Sequence, residues 1–223
     1  MSDSQTPVVI LGSGGYAHVV AQILQQEKSV HVLGCTDKML GLSERVRDEI
    51  GKLPILGDDD ILPDLANNNQ GLHAVLGLGP TLIDVRARLI LTLHEQAIPA
   101  IAAIHPHSFV AQSSQIGQGT VIRAGGLVGP DTTIGDHCVL GMAASIDHRS
   151  TLGKNVFVGQ GARISSYVTI ADNVMIEMGA SVNSRVKIGR NARITSGAFV
   201  NTDVPERAVV SGVPGRVVRY QTR

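Results

Sequence analysis

Large aromatic residues are nearly missing from this chain. Trp is absent, and aromatics make up 3% of its 223 residues. A core of ordinary build leans on Phe and Trp, so this one must be assembled from aliphatic and small side chains. That points to a repetitive architecture with narrow layers. Cysteine is equally sparse: Cys35 and Cys138 are too few for a disulfide framework. Net charge is missing too, because 19 Lys and Arg balance 19 Asp and Glu. No global field recruits nucleic acid or an anionic membrane, and any anionic ligand must be held by local charge. No apolar run approaches the length of a membrane span. The amino-terminal MSDSQTP carries an acid and no basic n-region, so it does not read as a signal peptide. The expectation is a cytoplasmic protein of one large or two small domains.

What the chain has instead is a six-residue period. Stepping by six from Val110 to Val200 meets sixteen positions, all aliphatic. The parallel series from Ser108 to Ala198, two residues earlier, is small at every step apart from Val156, Val168, Val174 and Val186, which are also compact. Residues two apart on a strand share a face, so both series point inward, and a turn must follow each pair. Gly often comes next, as at Gly117, Gly129 and Gly135; the expected reason is a tight bend without a Cβ penalty. Three sides close a triangular coil of eighteen residues. Residues 110 to 200 then make about five coils, a prism roughly 24 Å tall at the ordinary strand spacing. A period of six fits neither 3.6 nor 7, which excludes a helix. The repeat does not set handedness, and parallel crossovers are usually right-handed.

The first hundred residues read differently. PVVILGSGGYAHVVAQILQQ is strand, Gly-rich turn, helix. Gly12, Gly14 and Ala17 fit the G-x-G-x-x-G/A spacing, and Asp37 follows a second strand, VHVLGCTD. That is a dinucleotide-binding pattern, whose turn and helix N-terminus can hold phosphate. A further strand, HAVLGLG, ends at Gly77 and Gly79, and Asp58–Asp60 read as a helix start with solvated acids. The segment is too short for a full two-halved Rossmann domain, so a mononucleotide fits better than NAD.

The order of parts is a short βαβ domain, an AIHPHSFV junction, the hexapeptide helix and NTDVPERAVVSGVPGRVV. Over nearly the whole chain it resembles the bacterial sugar acetyltransferases of the sialic acid O-acetyltransferase and nucleotide-sugar N-acetyltransferase family. LGSGGYAHVV, His105-Pro106, ASIDHRSTLG and VSGVPGR carry the likeness. The resemblance implies a Rossmann-like sugar-nucleotide domain at 1–104, followed at 105–223 by a left-handed parallel β-helix with a carboxy-terminal cap. It implies a homotrimer with acetyl-CoA lying between subunits, and His148 as general base. Gly14, Gly15, Tyr16, Asp37 and Gly79 match sugar-nucleotide contacts; Met178, Ser196 and Phe157 fall where the family meets acetyl-CoA. Two positions depart from the family. Arg149 replaces the acid that normally follows the His, and Phe157 stands where a second His is usual. Asp147 precedes His148, but neighbours on a strand face opposite ways, so it substitutes only if the chain turns there.

The implied chemistry is acetyl transfer to the amine of a nucleotide-linked 4-amino sugar. Its rivals are O-acetylation of a sugar hydroxyl and a non-catalytic nucleotide-sugar-binding protein. A zinc anhydrase on the same scaffold would need several His at ligand spacing, and the helix has no His-x-x-x-x-His pair. His148 is expected outside the prism, His137 on the surface, and Cys138 inside as a structural thiol. The basic residues Arg185, Lys187, Arg190, Arg193, Arg207, Arg216 and Arg219 could meet CoA phosphates or form a solvated rim.

Overall fold

The fold is taken from a computed structural model that describes residues 5–38 and 53–222. The first four residues of the polar amino terminus lie outside that range. Contacts divide the chain into two compact units, 1–103 and 104–223.

The first unit is a parallel sheet with strands β1 (Thr6–Leu11), β2 (Val30–Thr36), β3 (Ile55–Gly57) and β4 (His73–Leu76) in the order β3-β2-β1-β4. Val8 to Leu11 are fully buried, as befits a central strand covered on both faces. Strand order reverses between β1 and β4. In open parallel sheets, that switch point at the strands' carboxyl ends is where ligands bind. Helix α1 (Gly15–Leu24) leaves β1 through the Gly-rich turn. β3 was not foreseen. Neither was the burial of Asp59, which is 8% exposed and accepts a 2.6 Å hydrogen bond from Thr36 Oγ1. It is therefore not one of a row of solvated acids.

The second unit is the left-handed β-helix. Two-residue strands pair in parallel with the strand eighteen residues on, as in Thr133↔Thr151 and Leu152↔Ile170. They form three faces. One face holds Thr133–Ile134, Thr151–Leu152 and their equivalents. A second holds Val139–Leu140 and Phe157–Val158, and ends in the antiparallel pair Ala208–Ser211 and Arg216–Tyr220. The third holds Phe109–Val110, Leu127–Val128, Ser145–Ile146, Arg163–Ile164, Ser181–Val182 and Phe199–Val200. Every member of the six-residue aliphatic series from Ile122 to Val200 is at most 2% exposed, and Val110 and Ile116 cap the core partly buried.

The inward small residues also do polar work. Thr120 and Thr132 donate to the carbonyls of Gly135 (2.9 Å) and Asp147 (3.0 Å) in the following coil, and Ser150 to that of Ser165 (3.0 Å). Cys138 does the same through its thiol, 3.0 Å from the Gly153 carbonyl. These side chains are buried and satisfied.

The repeat glycines serve a purpose other than bending. A Cβ on Gly129 would meet His148 N at 2.8 Å, and one on Gly135 would meet the Gly153 carbonyl oxygen at 2.6 Å. Close stacking of coils requires them. The left-handed backbone sits two residues further on, at Asp131 (φ 55°), Arg149 (56°), Tyr167 (60°) and Arg185 (67°).

Candidate active site

The chain turns at residues 147–149, between the strands Ser145–Ile146 and Thr151–Leu152. Backbone bonds hold this corner at each residue. Asp147 N donates to Ile164 O (2.8 Å), Arg149 N to Pro130 O (2.9 Å), and His148 O accepts from Tyr167 N (3.2 Å). The buried Thr132 hydroxyl grips Asp147 O from inside.

Because of the turn, Asp147 does reach His148. Its Oδ1 accepts from His148 N at 2.7 Å and pairs with His148 Nδ1 at 2.9 Å. A carboxylate can only accept, so Nδ1 carries the proton, and in the neutral ring Nε2 keeps its lone pair. The Asp147 carboxyl is held below the usual aspartate range, first by the His148 side-chain hydrogen bond and then by the backbone one. The chain turns at Asp147, which is the condition under which it can stand in for the missing acid. The orienting acid lies before His148 rather than after it.

Around the dyad runs a ladder of corner side chains. Tyr167 meets the His148 ring edge-on, with centroids 5.4 Å apart. Its hydroxyl accepts from Arg149 Nη1 at 2.9 Å, and Arg149 also pairs with Asp131 at 3.5 Å. The Arg185 guanidinium lies over the Tyr167 ring, 4.7 Å from its centroid. Two backbone N–H groups at the same edge are taken: His148 N by Asp147, and Ser184 N by Asn183 Oδ1 (2.9 Å). Ser166 N, in the coil between them, has no acceptor among the described residues.

Beside this corner, the third face carries a groove of about 580 Å³ lined by Phe109, Leu127, Asp147, Arg163, Ser181 and Phe199. Phe109 and Leu127 are 59% and 49% exposed. In the first unit, Gly14 and Gly15 face open space, and α1 begins with no side-chain cap and no acid in its first turn. A helix N-terminus of this kind can meet an anion.

Two families match this chain. The PglD N-terminal domain covers residues 7–90, and the bacterial transferase hexapeptide (six repeats) covers 167–202. PerB from Caulobacter crescentus, solved in complex with CoA and GDP-perosamine, is 28% identical, with a TM-score of 0.85 over 95% of this chain and 96% of its own. The chain carries both domains and is similar over nearly its whole length to this sugar acetyltransferase. The acetyltransferase domain of PglB from Neisseria gonorrhoeae, solved with acetyl coenzyme A, shares the fold at 22% identity and a TM-score of 0.85. That match covers 96% of this chain and 100% of the domain. WeeI from Acinetobacter baumannii does so at 19% and 0.82, over 95% and 99%. No curated protein matches.

Within this chain, the residues singled out from sequence fall into separate groups. Gly14, Gly15 and Tyr16 open α1, and Gly79 follows β4 with its Cα against the Tyr16 ring; a Cβ there would be 3.1 Å from Tyr16 Cδ2. Asp37 follows β2 and accepts a short hydrogen bond from Ser13. Ser13 escaped notice because it is a variable position of the glycine pattern. Met178 is 61% exposed at the corner between the second and third faces. Ser196 shares that corner, where its N–H and hydroxyl both donate to Glu177 Oε2 at 2.9 Å. That N–H is therefore already engaged. His148 lies at the other edge of the third face, so the single chain keeps His148 apart from Met178 and Ser196. Phe157 is 2% exposed on the second face. His137, expected on the surface, is buried at 8% where its corner packs on the preceding coil, N to Gln118 O at 2.7 Å. Of the basic carboxy-terminal residues, Arg190 pairs with Asp172 (2.8 Å), Arg193 with Glu177 (2.5 Å) and Arg207 with Glu206 (3.9 Å). Arg185 has no acidic partner among the described residues.

Proposed function

We propose that this protein moves acetyl from acetyl-CoA to the amine of a nucleotide-linked 4-amino sugar, with His148 as general base. The observation that carries the reading is the Asp147–His148 pair at an exposed corner, with Nε2 left as the free basic atom. The sugar amine gives a proton to Nε2 as its nitrogen bonds to the thioester carbonyl carbon. The oxygen becomes anionic, and Ser166 N–H is the donor at hand for it. Collapse breaks the C–S bond, and the imidazolium returns the proton to the departing thiolate. PerB, which holds CoA and GDP-perosamine together, supports both substrates.

The sugar nucleotide is held by Gly14, Gly15, Tyr16, Asp37 and Gly79. The Gly14–Gly15 N–H groups meet the phosphates, and Asp37 meets a ribose hydroxyl or a base N–H. Met178 and Ser196 meet acetyl-CoA; Phe157, buried in the single chain, shapes that wall from behind. The active unit is a homotrimer. The apolar groove with exposed Phe109 and Leu127 supports it, as does the separation of Met178 and Ser196 from His148, which only a second copy can close. No helix among the described residues is long and apolar enough to cross a membrane, and the need for acetyl-CoA assigns the enzyme to the cytoplasm.

The test is thiol release from acetyl-CoA with UDP-, GDP- and dTDP-linked 4-amino sugars. At least one acceptor should turn over, and His148→Ala should lower kcat by about 10²–10⁴. No turnover with any acceptor would favour a binding protein. Unchanged turnover in His148→Ala would remove His148 from the mechanism.

A further inference from the structure

Two guanidinium groups stand beside the candidate base, and they differ in how far they are committed. Arg149 is bound on two sides, to Asp131 and to the Tyr167 hydroxyl. It holds the tyrosine upright. Arg185 lies over the face of that ring and forms no ion pair among the described residues. The ring restrains the guanidinium by cation–π attraction while leaving its five N–H donors to seek an acceptor. The side chain is exposed on the same edge as His148.

Reach decides what that acceptor belongs to. From imidazole to tyrosine is 5.4 Å, and from tyrosine to guanidinium carbon 4.7 Å. The base and the cation are therefore no further apart than those two steps laid end to end. An acceptor sugar spans such a gap with one ring, its attacking atom at Nε2 and an anionic substituent across the ring at Arg185. Acetyl-CoA does not. Its thioester and nearest phosphate are separated by the whole pantetheine chain, which is longer than this span.

We propose that Arg185, seated on Tyr167, is a specificity-determining residue that reads an anionic group on the acceptor, within one sugar ring of the attacking atom. The group is a sugar-linked diphosphate or a sugar carboxylate, both of which match a guanidinium fork. Tyr167 and Arg149 are positioning residues for it. The inference rests on His148 marking the transfer site, as proposed above.

The test compares wild type with Arg185→Gln and Arg185→Lys. Arg185 is already a non-glycine residue at φ 67° on an exposed corner, so neither substitution adds backbone strain. Calorimetric titration, with CoA present, would use UDP-, GDP- and dTDP-linked 4-amino sugars, free sialic acid and a neutral free amino sugar. Titration with CoA alone serves as the control. Arg185→Gln should weaken the anionic acceptors by about ten- to hundredfold, the range of a lost charge-assisted hydrogen bond. Arg185→Lys should restore part of this, and CoA affinity should stay within about twofold of wild type. A loss confined to the nucleotide sugars assigns the diphosphate; a loss confined to sialic acid assigns the carboxylate. Equal affinities in wild type and Arg185→Gln would overturn the proposal. So would a loss confined to CoA, or a wild type that binds no anionic acceptor. Binding needs no turnover, so a protein that binds acceptors but never releases thiol would refute acetyl transfer while Arg185 is still decided.

Discussion

Replacing Gly129 with Ala should damage the proposed active site without touching any group proposed to do chemistry. A Cβ there would stand 2.8 Å from His148 N, 3.0 Å from the Asp147 carbonyl carbon and 3.3 Å from Asp147 Cα. Carbon atoms in comfortable contact keep about 3.5–4.0 Å. The 147–149 corner must therefore withdraw by roughly 0.7 Å to regain that separation. It cannot do so freely, because Asp147 N, Arg149 N and the Thr132 hydroxyl fasten it to its neighbours. Overpacking of this kind costs about 1–3 kcal/mol, which in a chain of this length lowers Tm by roughly 2–12 °C. Misplacing a catalytic group by about 1 Å can cost 10²-fold, so kcat should fall by about ten- to hundredfold. The control is Gly135→Ala. Its Cβ would crowd Gly153 O at 2.6 Å and Gly153 C at 2.7 Å, at a different corner. It should lose similar stability yet keep kcat within about twofold, since no catalytic group moves. Thermal melts and steady-state thiol release read both quantities. Equal kcat in the two variants would refute the link between coil stacking and the catalytic corner.

Four further outcomes follow from the same structure. Asp147→Asn keeps an acceptor but loses its charge, and kcat should drop by about ten- to hundredfold; activity equal to wild type would mean that Asp147 does not orient the ring. Because the folded Asp147 carboxyl is depressed, it contributes stability above its unfolded value, about 3.9, and that is lost as pH falls through the lower folded value. His148→Ala should flatten this acid limb in melts taken between pH 5 and 2, an effect kept small by exposure of both side chains; an unchanged limb would count against the pairing. Leu127→Glu puts a charge on the exposed apolar face and should yield monomers by light scattering, whereas an intact trimer would move the interface elsewhere. Thr132→Val deprives the Asp147 carbonyl of its buried donor and should cost about 1–3 kcal/mol in urea unfolding, with Thr132→Ser close to wild type.

The sequence by itself determined the β-helix. Two inward positions in every six leave only one way to bury Ile122 through Val200, because a strand's side-chain period of two tolerates no slip. The same spacing put His148 on an outer turn. It also implied that residues 147–149 form a corner, since Ile146 and Ser150 both point inward, and a corner is what lets Asp147 reach its neighbour. The Gly-rich turn and its helix were legible for the same reason: local spacing encodes local geometry. What only the tertiary structure decided lies between coils. The Asp147–His148 pair depends on a corner conformation. The Tyr167 platform joins residues eighteen apart, and the need for glycine at 129 comes from the coil stacked against it. Such contacts depend on which coil lies above which and how closely. A repeat states that stacking occurs, but not which side chains it brings together.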